Sequence, residues 1–150
     1  MRIRVATEAD APALARFRYE LRSNASQMIE TDAQFIERCT AWMRERLRSN
    51  SNWRAWLAED EQQLHGNVWA QLVEKIPNPA AETECFVYLT NFYVRAEHRS
   101  QGVGTQLLSA VLEWSKTKNA YTIILWPRER SKSLYARHGF STADDLMRLS

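Results

Sequence analysis

Arg99, Gly102 and Gly104 stand together in Arg99-Ser100-Gln101-Gly102-Val103-Gly104-Thr105, just after the apolar run Leu89-Thr-Asn-Phe-Tyr-Val94 and the charged stretch Arg95-Ala-Glu-His-Arg99. Downstream, Val103, Leu107, Val111 and Trp114 recur at helical spacing, with Leu108 and Leu112 widening the stripe. A strand therefore runs into a short loop with two glycines, and a helix begins at once. Unpaired N–H groups and a partial positive charge at a helix start suit an anion. Glycines without Cβ let a bulky phosphate approach the backbone, and Arg99 adds a fixed charge with a forked donor. A P-loop would need Lys-Ser or Lys-Thr after the second glycine, where Thr105-Gln106 stands. A Rossmann turn would need a small residue at position 107, where Leu107 stands. Taken alone, the two glycines would better fit a turn that merely starts a helix.

The remaining chemistry-bearing residues carry weaker signals. His65 lies next to Gly66 in an apolar run, either facing a cleft or packed as an ordinary strand residue, while His98 and His138 flank Arg99 and Gly139. The three histidines share no ligand spacing, and Cys39 and Cys85 form no metal-spaced pair, so no metal is expected. Both cysteines are expected to be reduced, buried thiols, as in a reducing cytosol. Arg38, Arg44, Arg46 and Arg48 make one helix basic, but Glu37 and Glu45 blunt that face.

The elements that position these residues can be read from periodicity. Arg2 to Val5 alternates as a short strand. Thr7-x-x-Asp10 opens a helix from Asp10 to Arg22, and Thr31 to Gln34 opens a second that runs to Leu47. Trp53 to Glu59 and Leu64 to Val73 surround a turn at Asp60-Glu-Gln62, with Gly66 marking a bulge or a close backbone approach. Ile76-Pro-Asn-Pro-Ala80 is a loop, and Glu84 to Val94 a third long strand. Thr122 to Trp126 reads as a short buried strand ended by Pro127, and Leu134 to His138 as a short helix capped by Gly139. Phe140 to Leu149 is predicted to be one more strand. The order gives an α/β (α+β) chain with a mixed, mostly antiparallel central sheet and helices on both faces. Its 150 residues fit one domain, 1–150, large enough to bury a core unaided. The formal net charge of +2 gives no reason to expect nucleic acid. The charged N-terminus lacks a signal peptide's apolar core, and no apolar run reaches bilayer length, so no membrane association and a cytoplasmic location are expected.

With those elements in place, Arg99-x-x-Gly102-x-Gly104 after Phe-Tyr-Val resembles the pyrophosphate loop of the GNAT acetyltransferases. Ser131-Lys-Ser-Leu-Tyr135-Ala-Arg-His-Gly-Phe140 is similar to the family's Leu-Tyr-x-x-x-Gly-Phe segment. The likeness is specific from Leu89 to Phe140 and architectural before it; Ala96 departs from the proline many members carry. The resemblance implies the GNAT N-acyltransferase fold, acetyl-CoA as cosubstrate and a primary amine as acceptor, a small molecule rather than a protein, with a homodimer compatible. It implies that the backbone of Phe92, Tyr93 and Val94 pairs with the pantetheine arm. Arg99, Ser100, Gln101, Gly102, Val103, Gly104 and Thr105 would hold the pyrophosphate, and Ser131, Ser133 and Tyr135 would complete the cofactor set. The strand at 122–126 would splay to leave a thioester slot, with Trp126 at its mouth.

Tyr135 matches the family's acid, which protonates the departing thiolate. A thiol pKa of about 8.5 and a phenol pKa of about 10 make that transfer reasonable. Relatives often carry a glutamate near position 90, but Thr90 and Asn91 are not bases, and Glu84 reads as an exposed strand entrance. A water chain to backbone groups or a distant carboxylate is left to take the amine proton. The contrasting expectation is a catalytically silent acyl-CoA-binding module on the same fold.

Overall fold

The computed structural model describes residues 1–24, 27–48 and 50–150. Its elements run β1 (Arg2–Val5), α1 (Ala11–Arg22), α2 (Asp32–Arg46), β2 (Trp53–Glu59), β3 (Leu64–Glu74), β4 (Cys85–Val94), α3 (Val103–Thr117), β5 (Ile123–Ile124) and α4 (Lys132–Arg137). The five strands lie in chain order in one sheet, antiparallel from β1 to β4, with β5 joined parallel to β4. The predicted mixed sheet is the one observed.

The helices begin where the caps predict. The Thr7 N–H donates to Asp10 Oδ2 at 2.7 Å, and a single 3-10 turn over Glu8–Asp10 leads into α1. At α2, Thr31 Oγ1 accepts from the Gln34 N–H at 3.1 Å, and Gln34 Oε1 accepts from the Thr31 N–H at 3.0 Å, a reciprocal box.

Both faces of the sheet are covered. On one side Ala55, Leu57 and Trp69 bury against Leu14, Ala15 and Phe17 of α1 and Met43 of α2. On the other, Trp56, Ala58, Val68, Ala70, Val87 and Leu89 pack on Val103, Leu107, Leu108 and Val111 of α3 and Tyr135 of α4. Strands buried on both faces need unbroken apolar runs, which is why Ala55-Trp-Leu-Ala58 shows no alternation. The tryptophans divide the same way: Trp42, Trp53 and Trp69 cluster on the α2 side, and Trp56 meets Trp114 at 5.5 Å on the α3 side.

Three expectations need correction. Residues 140–149 form no strand: Phe140 seats on the Tyr135 ring at 5.5 Å, and beyond it Leu146, Met147 and Leu149 are exposed. That segment's Ser-Thr-Ala-Asp-Asp offers too few apolar groups to hold a ladder. β5 shrinks from 122–126 to two residues, since only Val87↔Ile123 and Tyr88↔Ile124 pair before the strands part. Cys39 and Cys85 are free but half-buried, and burial pushes the Cys39 thiol pKa up.

Candidate functional site

β4 has a ladder partner on its β3 side almost throughout, but its pairing with β5 ends at Tyr88. From Leu89 to Val94 the β5 side of its backbone has no strand partner among the described residues. Within this stretch the chain bulges. Trp69 pairs with Thr90 and Asn67 with Tyr93, so Asn91 and Phe92 together oppose Val68, and Asn91 takes a left-handed φ of 54°. One extra residue reverses which face later side chains meet. Phe92 therefore turns to the α3 core, and Tyr93 to the α1 side, where its ring lies 5.9 Å from Phe17. Gly66 opposes the strand's end because a Cβ there would lie 2.4 Å from the Tyr93 carbonyl oxygen. The close backbone approach expected at Gly66 is real.

The strand leads through a single 3-10 turn, Ala96–His98, into the loop. Arg99 Nε donates to the Val94 carbonyl at 2.9 Å, so the guanidinium is tethered to the strand's end. Ser100 (φ 63°) and Gly102 (φ 82°) are both left-handed and turn the chain into the 15-residue α3. The first i→i−4 bond of α3 runs from the Gln106 N–H to the Gly102 carbonyl at 3.1 Å. The amides of Val103, Gly104 and Thr105 precede it and have no helical acceptor.

The two glycines differ. A Cβ on Gly102 would meet nothing within 4 Å, whereas one on Gly104 would lie 3.4 Å from Leu134 and 3.8 Å from the Phe92 ring. Gly104 thus faces α4 and β4, where a side chain larger than Cβ would press on Leu134 and Phe92, while Gly102 faces open space.

Tyr135 is buried, 7 % exposed, with Phe92 at 6.1 Å and Phe140 at 5.5 Å, both edge-on. Burial alone pushes its phenol pKa up to about 12. Phe92 thus joins the loop glycine to Tyr135, so strand, loop and α4 converge. Ser131 stands at the start of α4 and Ser133 on its exposed side. Trp126 is 59 % exposed and lies edge-on to Tyr88 at 5.5 Å, beside the point where the strands part.

Other candidates have structural partners. His65 Nε2 meets Asp60 Oδ2 at 2.6 Å, and its ring stacks on His98 at 3.7 Å, so it is a packed strand histidine. His138 Nδ1 contacts the Leu134 carbonyl at 2.8 Å. Glu84 accepts from the Asn78 N–H at 2.9 Å and braces the proline loop. Among the described residues no group of three or more His, Cys, Asp or Glu could hold a metal, and no helix is long and apolar enough to cross a membrane.

Periodicity did not reveal the arginines around this site. Arg130 has its pKa lowered by burial first, then by the neighbouring charges of Arg99 and Arg128. Arg18 of α1 donates from Nη1 to Asn91 Oδ1 at 3.2 Å, inside the bulge. The available signal was Asn91, a poor strand former inside an aromatic β run.

The parted strands and the helix start form an acyl-transferase scaffold, and sequence comparison agrees. Residues 18–140 match the model of the acetyltransferase (GNAT) family, to which the chain belongs. The chain is similar in fold to a predicted acetyltransferase from Clostridium acetobutylicum solved with acetyl-CoA (TM-score 0.81, 21 % identity, covering 99 % of this chain and 95 % of that one). It is similar to a GCN5-related N-acetyltransferase from Ralstonia eutropha JMP134 (TM-score 0.80, 21 % identity, 99 % and 97 % covered). An aminoglycoside acetyltransferase from an uncultured soil metagenomic sample is also similar (TM-score 0.71, 16 % identity, 99 % and 97 % covered). No curated protein sequence matched.

Proposed function

We propose that the protein is an N-acetyltransferase that moves acetyl from acetyl-CoA to a primary amine by direct attack in a ternary complex. The observation that carries this reading is the parting of β4 from β5 beside Tyr135, with the start of α3 at the far end of the opened strand. The residues fit the cosubstrate. The backbone of Phe92, Tyr93 and Val94 runs along the side of β4 that has no strand partner among the described residues, where an extended amide chain can lie. The amides from Gly102 to Thr105 face an anion, with Ser100 and Gln101 shaping the turn and Arg99 adding charge. The positive charges of Arg99 and Arg128 both act on Arg130, which supports a phosphate-bearing partner.

Acetyl-CoA supplies an activated thioester carbonyl. As the amine nitrogen bonds to that carbon and the carbon–sulfur bond breaks, Tyr135 is the proton donor to the leaving sulfur. Its raised pKa keeps the phenol protonated and ready to donate across the working range. A thiolate in the same apolar surroundings also becomes more basic, which narrows the gap between the two groups. The amine gives its proton to a water chain, since Thr90 and Asn91 supply no base.

The test is incubation with acetyl-CoA and a panel of amines, following free thiol and product mass, alongside calorimetric titration of acetyl-CoA. Acetylated product above the hydrolysis background is expected. Tight acetyl-CoA binding without transfer to any amine would instead indicate the silent binding module.

A further inference from the structure

Arg18, like Arg46, Arg54 and Arg99, is half-buried without a carboxylate partner, but it is the one bonded to the β4 bulge. Arg4 pairs with Asp10 at 2.8 Å and with Glu59, and Arg95 with Glu20 at 2.9 Å. Arg18 has only the neutral Asn91 carbonyl, and among the described residues no carboxylate pairs with it. That orientation is held from behind. Asn91 Nδ2 donates to Oδ1 of the fully buried Asn67 at 3.2 Å, so the Asn91 oxygen must face Arg18. One acceptor leaves most of the five guanidinium donors unused. Burial lowers its pKa first and Arg22 next, with Arg128 adding to them while Cys39 and Tyr88 act in the opposite sense. A half-buried cation among cations is costly for a fold that could use a neutral residue there.

Its location gives that cost a purpose. Asn91 lies three positions past the last β4–β5 pair, on the α1 side of the opened strand, whereas Phe92 and Tyr135 occupy the α3 side. Building on the acetyl-transfer reading, we propose that Arg18 binds the acceptor's carboxylate, making the substrate an amino acid or another amine that carries a carboxylate. Asn91 and Asn67 are positioning residues that aim the guanidinium. A planar carboxylate matches the guanidinium fork with two parallel bonds. A phosphate dianion would cost more to desolvate in this half-buried setting.

The experiment compares matched acceptors. Several α- and ω-amino acids are each assayed against the carboxamide and the aminoalkyl phosphate of the same chain length, in wild type, Arg18→Gln and Arg18→Lys. Wild type is expected to favour the carboxylate over the carboxamide by about 10- to 100-fold in kcat/KM, the range of a charge-assisted hydrogen bond. Arg18→Gln should abolish that preference while leaving the acetyl-CoA KM unchanged, and Arg18→Lys should recover part of it. Equal use of acid and amide, preference for the phosphate, or a preference that survives in Arg18→Gln would each overturn the assignment. None of these would touch the acetyl-transfer reading, which the titration and the total turnover judge separately. Melting curves with the same free amino acids give a readout independent of turnover. They should raise the melting temperature of wild type and not of Arg18→Gln, and equal shifts, or none in wild type, would overturn the assignment.

Discussion

The phenol of Tyr135 is sealed between Phe92 and Phe140, and its pKa of about 12 has consequences beyond keeping a proton in place. Tyr135→Phe preserves both ring contacts and removes only the donor. Turnover should fall about 100-fold, the usual scale of general acid catalysis, with acetyl-CoA affinity nearly unchanged. Near-wild-type turnover in this variant would leave solvent as the acid. The same shift predicts alkaline behaviour. The folded pKa lies above the ordinary value of 10.0, so the contribution to stability is complete below pH 10 and drains away as pH rises toward 12. Melting curves across that interval should fall less steeply for Tyr135→Phe than for wild type. Arg99 makes a different contribution. Arg99→Ala should raise the acetyl-CoA KM more than it lowers kcat, because the guanidinium is tethered at the end of β4, beside the start of α3. It should also cost about 1 kcal/mol through the lost bond to the Val94 carbonyl. A collapse of kcat at normal cofactor saturation would place Arg99 elsewhere in the mechanism.

Between elements, the two loop glycines predict different failures. Gly104→Val drives methyl groups into Leu134 and the Phe92 ring, so α4 must move away from α3. Overpacking of this kind costs about 1–3 kcal/mol, and acetyl-CoA affinity should drop at least tenfold as Phe92 and Tyr135 shift. Gly102→Ala meets no neighbour and pays only for a left-handed backbone, about 1 kcal/mol, with affinity retained better. Equal melting temperatures for Gly104→Val and wild type would contradict the packing role. These positions also show what a one-dimensional reading can reach. The helix starts at Thr7 and Thr31, the hairpin, Gly66 and the left-handed cap at Gly139 were legible, because each depends on neighbours along the chain. The direction of the Gly104 Cβ was not, because Leu134 is thirty residues away. Nor was the Asn91 bulge that turns Tyr93 toward α1, since a strand's phase is set by its partner. Arg18 was hidden for the same reason: its meaning lies in Asn91 and Asn67, on two different strands.

Across the molecule, the carboxylates that grip arginines or turn amides predict acid sensitivity. Asp10 is held below its ordinary 3.8 first by Arg4, Glu59 below 4.5 by Arg2 and Arg4, and Asp60 at about 2 by the amides of Gln62 and Gln63 with His65. Because folding lowers these pKa values, their contribution is complete above about pH 5 and is lost as pH falls toward 2. The melting temperature should therefore drop across that interval, and Asp10→Asn should be less stable at pH 7 but less steep in acid. The two-residue seam between β4 and β5 has a further consequence, for the order in which the chain assembles. β2, β3 and β4 are linked as successive hairpins, so their pairing needs only residues already adjacent in sequence. β5 reaches β4 only after α3 has folded across the sheet, and it then gains just two register pairs. Contacts that close long loops for little return form late and open first. In native-state hydrogen exchange the β5 amides should lose protection well before those of β3, and a chain emerging during synthesis should complete its meander while the Tyr135 segment is still unmade.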